Sequence, residues 1–241
     1  MTRIRLDNLL VEQGHAATRE RARALILSGA VRVGDRSTLK AGLLVEPTTA
    51  VQITESPPYV SRGGQKLAHA LAQFSIDVQG LVALDVGAST GGFTDCLLQH
   101  GAVRVHAIDV GYGQLDYRLR QDPRVAVQER VNARYPLTLP ERCDIATIDV
   151  SFISATMVLP AVMDALKPEG RIILLVKPQF EAGKGQVGKG GVIKDPRVHA
   201  AVLSQVIRWA IDHRLRVLGL TPSPLLGDAG NREFLLLMST P

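Results

Sequence analysis

The pattern of apolar and polar residues changes character near residue 66. From there on, short apolar runs alternate with stretches whose apolar residues recur at helical spacing. Such alternation is typical of a parallel sheet covered by helices on both faces, the doubly wound α/β class. A final apolar run follows a short connection, so we expect it to be antiparallel. The predicted strands are 82–86, 104–109, 125–128, 145–150, 171–176, 216–220 and 233–238, and helices are predicted near 92–100, 115–121, 154–166 and 196–213.

The first 56 residues follow a different pattern, which predicts two short helices and a small sheet. Leucines at 6, 9 and 10 share one helical face, and Gly14 ends that helix. Thr18 is placed to cap a second helix, which would turn Ala22 and Ile26 inward. Short strands are predicted over 30–36, 44–45 and 51–53. This segment therefore predicts a small α+β domain.

Consecutive prolines mark the boundary between the two patterns. Pro57-Pro58 favours an extended connector. The pair Gly63-Gly64 is not expected inside a helix, so Lys66 is predicted to open the next one. The expected organisation is a small domain over 1–56, a linker over 57–65 and the α/β domain over 66–241.

The composition is that of a globular protein, with 46% hydrophobic residues. No apolar run approaches the roughly 20 residues that span a bilayer, and the N-terminus has no apolar signal core. Cys96 and Cys143 lack metal-ligand spacing and lie in apolar surroundings. We expect both cysteines to be buried free thiols. For the protein we expect no bound metal, no membrane association and a cytoplasmic location.

The positive charge is concentrated at the N-terminus. Residues 1–40 hold eight basic and four acidic residues, a surplus of four within a net charge of +5. A short basic segment favours an anionic partner, most simply a nucleic acid. The alternative is a solvated basic surface.

A glycine-rich turn carries the first chemical signal. Residues 84–95 read Leu-Asp-Val-Gly-Ala-Ser-Thr-Gly-Gly-Phe-Thr-Asp. Gly87, Gly91 and Gly92 lack a Cβ and so allow a ligand close to the backbone. A strand, such a turn and a helix N-terminus form a nucleotide-type cofactor site, whereas the alternative is an ordinary tight turn. Asp109, about 20 residues on, is placed to bind ribose hydroxyls, and Asn132 faces either an adenine or its own turn.

Four charged residues are expected at the same edge of the sheet. Asp149 and Lys177 follow the fourth and fifth strands, Glu233 starts the last one, and Lys66 reaches the edge from the leading helix. Each alone reads as a solvated terminus or turn residue. Two lysines and two carboxylates converging on a cofactor cleft favour a catalytic group.

The N-terminal segment resembles the RNA-binding module first described in ribosomal protein S-four. The resemblance lies in Arg5-Leu-Asp-x-Leu-Leu, Thr18-Arg-Glu-Arg-Ala and Gly29-x-Val-x-Val-x-Gly. It implies contacts with the phosphates of structured RNA, and such contacts give affinity and salt dependence more than sequence readout. The residues implied are Arg5, Arg19, Arg23 and Arg32.

The larger domain is similar to the FtsJ-type ribose 2′-O-methyltransferases. Its four charged residues match their K-D-K-E tetrad, and the full motif order resembles the TlyA family of ribosomal RNA methyltransferases, some of which are labelled hemolysins. The motifs include Tyr59-Val-Ser-Arg-Gly-Gly, Thr147-Ile-Asp-Val-Ser-Phe-Ile, Val176-Lys-Pro-Gln-Phe-Glu and Gly230-Asn-Arg-Glu-Phe. The resemblance implies a Rossmann-like methyltransferase sheet and S-adenosylmethionine as cofactor. The implied cofactor-binding residues are Asp85, Gly87, Ser89, Gly91, Gly92, Phe93, Asp109 and Asn132.

The resemblance further implies methylation of cytidine 2′-hydroxyls in ribosomal RNA or a ribosomal subunit. Lys177 is implied at the acceptor hydroxyl, either as a base or as an electrostatic activator, with Lys66, Asp149 and Glu233 around it. The glycine-rich segment 181–191 does not match a phosphate-binding loop, and it is either a loop beside the site or a surface connector.

Several alternatives stay open at this stage. They are a small-molecule methyltransferase, a non-catalytic RNA-binding protein and a membrane-active protein. The basic segment argues against the first, the intact tetrad against the second and the absence of an apolar span against the third. We expect a monomer, and the short termini favour the large ribosomal subunit as substrate.

Overall fold

A computed structural model describes residues 3–27, 29–34, 39–53, 58–183, 185, 187–188, 190–227 and 230–241. Backbone contacts divide the chain into two compact units, Met1–Gly63 and Gly64–Pro241. Of the residues predicted to separate the domains, Pro57 lies outside the described residues, as does Arg36 of the basic segment.

The described part of the first unit contains the two short helices expected from the pattern and four short strands, of which the strand Ile4–Arg5 was not predicted. They are β1 Ile4–Arg5, α1 Leu6–Glu12, α2 Arg19–Leu27, β2 Val31–Val33, β3 Leu44–Val45 and β4 Val51–Ile53. β1 pairs with β3 and β2 with β4, both antiparallel. Gly14 follows α1 with a φ of 75°, and the Thr18 hydroxyl accepts a hydrogen bond from the Arg21 amide at 3.2 Å, which caps α2.

The core of this unit is small and lies between the two helices and the strands. Its buried members are Leu6, Leu9, Leu10, Ala16, Ala22, Ile26, Val31 and Val45. A core of this size is near the lower limit for a stable domain, so each contact in it weighs heavily on stability.

In the described part of the second unit, seven strands form one mostly parallel sheet, which confirms the doubly wound α/β class. The sheet order is β10-β11-β9-β8-β5-β6-β7. β11 pairs antiparallel with both β9 and β10, as expected for the final run. The elements are α3 Arg62–Gln73, β5 Val82–Val86, α4 Gly92–Gln99, β6 Arg104–Asp109, α5 Tyr117–Gln121, β7 Val125–Glu129, β8 Cys143–Ile148, α6 Leu159–Ala165, β9 Leu166–Val176, α7 Pro178–Glu181, α8 Pro196–Asp212, β10 Arg216–Pro222 and β11 Phe234–Ser239.

Several predicted boundaries were wrong. β9 begins at Leu166 rather than at 171, and β8 spans Cys143–Ile148 rather than 145–150. α3 begins at Arg62, so Gly63 and Gly64 lie in its first turn and Lys66 lies within the helix rather than at its start. The first turn tolerates glycine because its amides have no intrahelical acceptor to lose. The predicted helix 154–166 is interrupted, with a 3₁₀ turn over Ala155–Met157 before α6. Pro160 explains the break, since proline is accommodated in the first turn of a new helix but not in the interior of a longer one.

Candidate active site

One edge of the sheet collects the ends of four neighbouring strands. Val86 of β5 pairs with Ile148 of β8 in parallel register, and Val176 of β9 pairs with Phe234 of β11 in antiparallel register. The residues that come directly after β5, β8 and β9, and the one directly before β11, therefore stand side by side. These four are Gly87, Asp149, Lys177 and Glu233.

Gly87 allows a close approach of two backbone segments. Its φ is 85°, and a Cβ built on it would overlap the carbonyl oxygen of Asp149. Both the left-handed backbone and the lack of space require glycine here. The first glycine of the turn thus holds the end of β8 against the end of β5, which sets the position of Asp149.

A cavity of about 850 Å³ opens beside this edge. Five of the predicted site residues line it, together with the backbone that follows β6 and β7. Those five are Gly87, Ser89, Asp109, Asn132 and Asp149. The volume lies within the range of small-molecule sites, about 300–1,000 Å³.

Asp109 is held rigidly at the cavity wall. One carboxylate oxygen accepts a hydrogen bond from the Ser89 amide at 2.7 Å, and the other accepts from the Gly111 amide at 2.6 Å. The Ser89 hydroxyl in turn donates to the Gln114 side chain at 3.2 Å. Each carboxylate oxygen keeps a further lone pair, so this residue can accept hydroxyl hydrogen bonds without moving.

The other predicted cofactor residues lie around this turn but away from the cavity wall. Asp85, Gly91, Gly92 and Phe93 do not belong to the cavity wall that the described residues form. Asp85 is fully buried and accepts hydrogen bonds from the hydroxyls of Thr94 at 2.6 Å and Thr147 at 3.0 Å. Burial raises the pKa of this carboxyl to about 6, partly offset by those hydroxyls.

Gly91 makes room for the packing of a helix. Its φ is 94°, and a Cβ on it would overlap the Leu119 side chain of α5 and lie 2.8 Å from Leu115. The second glycine therefore lets α5 lie against the turn. Sequence spacing alone does not separate a glycine that faces a ligand from one that faces a helix.

The four charged residues form two ion pairs. Lys66 Nζ lies 2.5 Å from a Glu233 carboxylate oxygen, and the side chains of both residues are buried. Lys177 Nζ lies 2.6 Å from Asp149 Oδ1 and donates a hydrogen bond to the Ser151 hydroxyl at 2.8 Å. The Lys177–Asp149 contact is an ion pair without hydrogen-bond alignment, since Asp149 Oδ1 has no hydrogen-bond partner among the described residues.

Glycine also makes room for Glu233. A Cβ on Gly227 would overlap the Glu233 carboxylate. The turn that precedes β11 therefore closes against this side chain. It also ties in the glycine-rich segment, because the Asn231 side chain accepts from the Ile193 amide at 3.0 Å and donates to the Gly191 carbonyl at 2.9 Å. Within the segment 181–191, Lys184, Gln186 and Lys189 lie outside the described residues.

Three residues of the quoted motifs take positions that sequence reasoning missed. Glu181 accepts hydrogen bonds from the Ser154 hydroxyl at 2.6 Å and the Ala155 amide at 2.7 Å, which ties α7 to the loop after β8. Phe152, on that loop, is 92% exposed and has a φ of 65°. Its ring lies 5.1 Å from that of Phe180, and both rings line the cavity. The third is Ser151, the hydrogen-bond partner of Lys177.

The four predicted RNA-binding arginines lie in the first unit. Arg5 and Arg19 both form ion pairs with the buried carboxylate of Asp7. Arg23 on α2 and Arg32 on β2 are exposed. Among the described residues, no group of three or more histidine, cysteine or acidic side chains is placed to hold a metal ion.

Two family models match the chain, an FtsJ-like methyltransferase over residues 59–240 and an S4 domain over residues 4–51. The 16S/23S rRNA (cytidine-2′-O)-methyltransferase TlyA of Mycobacterium tuberculosis (strain CDC 1551 / Oshkosh) is 47% identical over 242 residues, which cover 99% of this chain and 90% of that protein. Hemolysin A of Brachyspira hyodysenteriae is 39% identical over 96% of this chain and 98% of its own. A solved structure of a presumed hemolysin from Streptococcus thermophilus matches with a TM-score of 0.78 and 42% identity, covering 100% of this chain and 89% of that one.

Proposed function

The chain belongs to the FtsJ-like methyltransferase family and carries an S4 domain, and we propose that it transfers a methyl group from S-adenosylmethionine to the 2′-hydroxyl of a cytidine in ribosomal RNA. The observation that carries this proposal is the Lys177–Asp149 ion pair at the edge of the cavity that Asp109 lines. Both partners of Lys177, Asp149 and Ser151, line the same cavity as Asp109. The choice of cytidine in ribosomal RNA is taken from the name of the TlyA relative, which matches nearly the whole chain.

The cavity residues fit the cofactor. Asp109 presents a fixed carboxylate suited to ribose hydroxyls, and Asn132 borders the same space. Gly87 keeps the wall open on the side of Asp149. When bound, S-adenosylmethionine supplies an electrophilic methyl group. We assign Gly87, Ser89, Asp109 and Asn132 to holding it.

Lys177 is assigned to the acceptor oxygen. A ribose hydroxyl becomes a good nucleophile only as negative charge develops on its oxygen, and a fixed cation stabilises that charge. Because Lys177 is paired with Asp149 and hydrogen-bonded to Ser151, we infer that it acts as an ammonium cation that orients the hydroxyl.

We assign the Lys66–Glu233 pair a structural role. Both side chains are buried, and neither belongs to the cavity wall among the described residues. We propose that the pair fixes α3 and the turn before β11 around the acceptor site rather than taking part in methyl transfer.

An RNA acceptor is supported by both units. The first unit carries exposed arginines that suit phosphates. In the second unit, the exposed Phe152 ring beside Phe180 offers an apolar face on which an unstacked base can pack. A small-molecule methyltransferase has no need of either feature.

The hemolysin names of some relatives raise the membrane-active alternative. No helix among the described residues is long and apolar enough to cross a membrane. The non-catalytic alternative leaves the paired tetrad beside the cavity without a role. We also retain the expectations of a monomer that acts without a metal ion in the cytoplasm, where ribosomal RNA is available.

The test uses purified protein, S-adenosylmethionine with a labelled methyl group, and separate small and large ribosomal subunits from cells that lack the gene. Label should appear on a cytidine 2′-oxygen, mapped by resistance of the adjacent bond to alkaline hydrolysis. Lys177→Ala should abolish transfer while cofactor affinity changes less than about twofold. Lys167→Ala is the matched control, because Lys167 also lies 2.6 Å from an aspartate, Asp144, which does not line the cavity, whereas Asp149 does. Absence of label on both subunits, or full turnover by Lys177→Ala, would contradict the proposal.

A further inference from the structure

A fully buried carboxylate of the first unit lies against two of its basic side chains. Asp7, the second residue of α1, has 0% of its side chain exposed, although it is charged. Burying an unpaired carboxylate is costly, so its partners must be strong hydrogen-bond donors. Those partners are Arg5 and Arg19, two of the arginines assigned to RNA.

The two guanidinium groups meet Asp7 in different ways. Arg5 binds bidentately, with Nε 2.9 Å from Oδ1 and Nη2 2.8 Å from Oδ2. Arg19 adds Nε at 3.1 Å from Oδ2. Each guanidinium has five N–H groups, so each keeps donors that Asp7 does not use. The side chains are 41% and 50% exposed, so these donors can reach solvent or a ligand.

A glycine completes the arrangement. Gly42 is exposed, and a Cβ on it would lie 3.1 Å from Arg5 Nη1 and 3.4 Å from Cζ. The Arg5 guanidinium therefore has the carboxylate at one edge and bare backbone beside it. A Cβ at position 42 would require the guanidinium to shift by a few tenths of an ångström, and a branched side chain would require a larger shift.

The carboxylate also lets two cations stand next to each other. Hydrogen bonds from Arg5, followed by those from Arg19, lower the pKa of Asp7 to about 2, so it is ionised at any physiological pH. Its negative charge offsets the repulsion between the guanidiniums, and the group keeps one net positive charge. Arginines that are already ordered lose less side-chain entropy when they bind a phosphate.

We propose that Asp7 is a positioning residue that presents Arg5 and Arg19 as a preformed clamp for phosphate groups of an RNA backbone. This inference rests on the proposed RNA substrate. The alternative account considers only the net charge. In that account Asp7 is an acidic residue that weakens the attraction of the first unit for RNA.

The two accounts predict opposite signs for one substitution. Asp7→Asn keeps the shape of the side chain and raises the net charge by one. If the charge count governs affinity, this variant binds RNA more tightly. If Asp7 positions the arginines, it binds about tenfold more weakly, because two arginine side chains must now be ordered on binding. The dependence of log K on log salt should also become shallower by about one unit, as for a lost phosphate contact.

Binding is measured on each isolated ribosomal subunit, at several salt concentrations. Asp7→Asn should be compared in the wild-type background and in Arg5→Gln/Arg19→Gln. The clamp predicts that the substitution has no further effect once both arginines are gone, whereas a merely structural role predicts the same loss in both backgrounds. Binding equal to or tighter than wild type by Asp7→Asn, or an equal loss in both backgrounds, overturns the proposal.

A second variant covers the case in which Asp7→Asn does not fold. Gly42→Val leaves all charges in place but displaces the Arg5 guanidinium, and it should weaken binding severalfold with no change in cofactor affinity. Unaltered RNA affinity in Gly42→Val counts against the clamp. Failure of the proposed function is seen separately, since a wild-type protein that binds the subunit without methylating it leaves this test intact.

Discussion

Glu233→Gln should destabilise the second unit far more than its small change in shape suggests. The side chains of Lys66 and Glu233 are 11% and 2% exposed, and their charged atoms lie 2.5 Å apart. Removing the charge of Glu233 leaves the Lys66 ammonium buried without a counter-ion. Breaking a buried pair in this way costs about 3–5 kcal/mol, and glutamine, which still offers an oxygen, should fall near the lower figure.

Replacing both partners should separate stability from activity. In Lys66→Met/Glu233→Leu no charge remains to be buried, so the free energy of unfolding should return to within about 1 kcal/mol of wild type. If the pair holds the acceptor site in shape, methyl transfer should stay impaired. Lys167→Met provides the surface comparison, because that lysine is 48% exposed and its pair with Asp144 should contribute less than about 1 kcal/mol.

The assay is urea unfolding followed by fluorescence. The chain has a single tryptophan, Trp209 of α8, which packs against the core of the second unit and therefore reports that unit alone. A loss below about 1 kcal/mol in Glu233→Gln would refute the argument from burial. So would a double variant no more stable than the weaker single one, since the cost would then come from lost shape rather than from an unpaired charge.

Three further predictions follow from other contacts. Gly87→Ala should cost several kcal/mol and weaken cofactor binding, because its Cβ would overlap the Asp149 carbonyl; calorimetric titration with the cofactor and Trp209 fluorescence test this, and a wild-type-like variant contradicts it. The pKa of Asp7 is about 2 in the folded chain against 3.8 in the unfolded chain, which contributes about 2 kcal/mol to the free energy of unfolding of the first unit. This contribution is present above pH 4 and is lost as the pH falls towards 2. Hydrogen exchange of the first unit's amides measures it, and Asp7→Asn should lack this pH dependence. Phe152→Ala should raise the KM for the ribosomal subunit severalfold with unchanged cofactor affinity, whereas Phe152→Tyr should keep a KM close to that of wild type because tyrosine can still stack on a base. Equal KM values for the two variants would contradict a stacking role for Phe152.

The sheet could be predicted from the sequence because its strands are buried on both faces. Such strands read as continuous apolar runs, and β5 and β6 have the predicted ends. Helix boundaries were harder, since they depend on single residues whose effect is positional. Pro160 interrupts a helix that the apolar pattern continues through, and Gly63 is accommodated in the first turn of α3.

The candidate site was only partly predictable for a related reason. Asp109, Asp149 and Lys177 lie on one edge because they stand at the ends of parallel strands, independently of how their side chains are oriented. Which side chain faces the cavity depends on packing between distant elements. Asp85 accepts from two buried threonines instead, and Gly91 makes space for α5. Neither partner can be read from the spacing of the motif.

The place of β11 in the sheet has a consequence for the timing of folding. This strand is last in the sequence, yet it lies between β9 and β10. The Lys66–Glu233 contact that depends on it spans 167 positions, so it forms only after nearly the whole second unit has been synthesised. During translation the residues that line the cavity, the last of which is Phe180, can assemble while Lys66 still lacks its counter-ion. A ribosome-bound nascent chain would thus acquire the cavity before the completed tetrad, and it becomes active only once its C-terminal strand has left the exit tunnel.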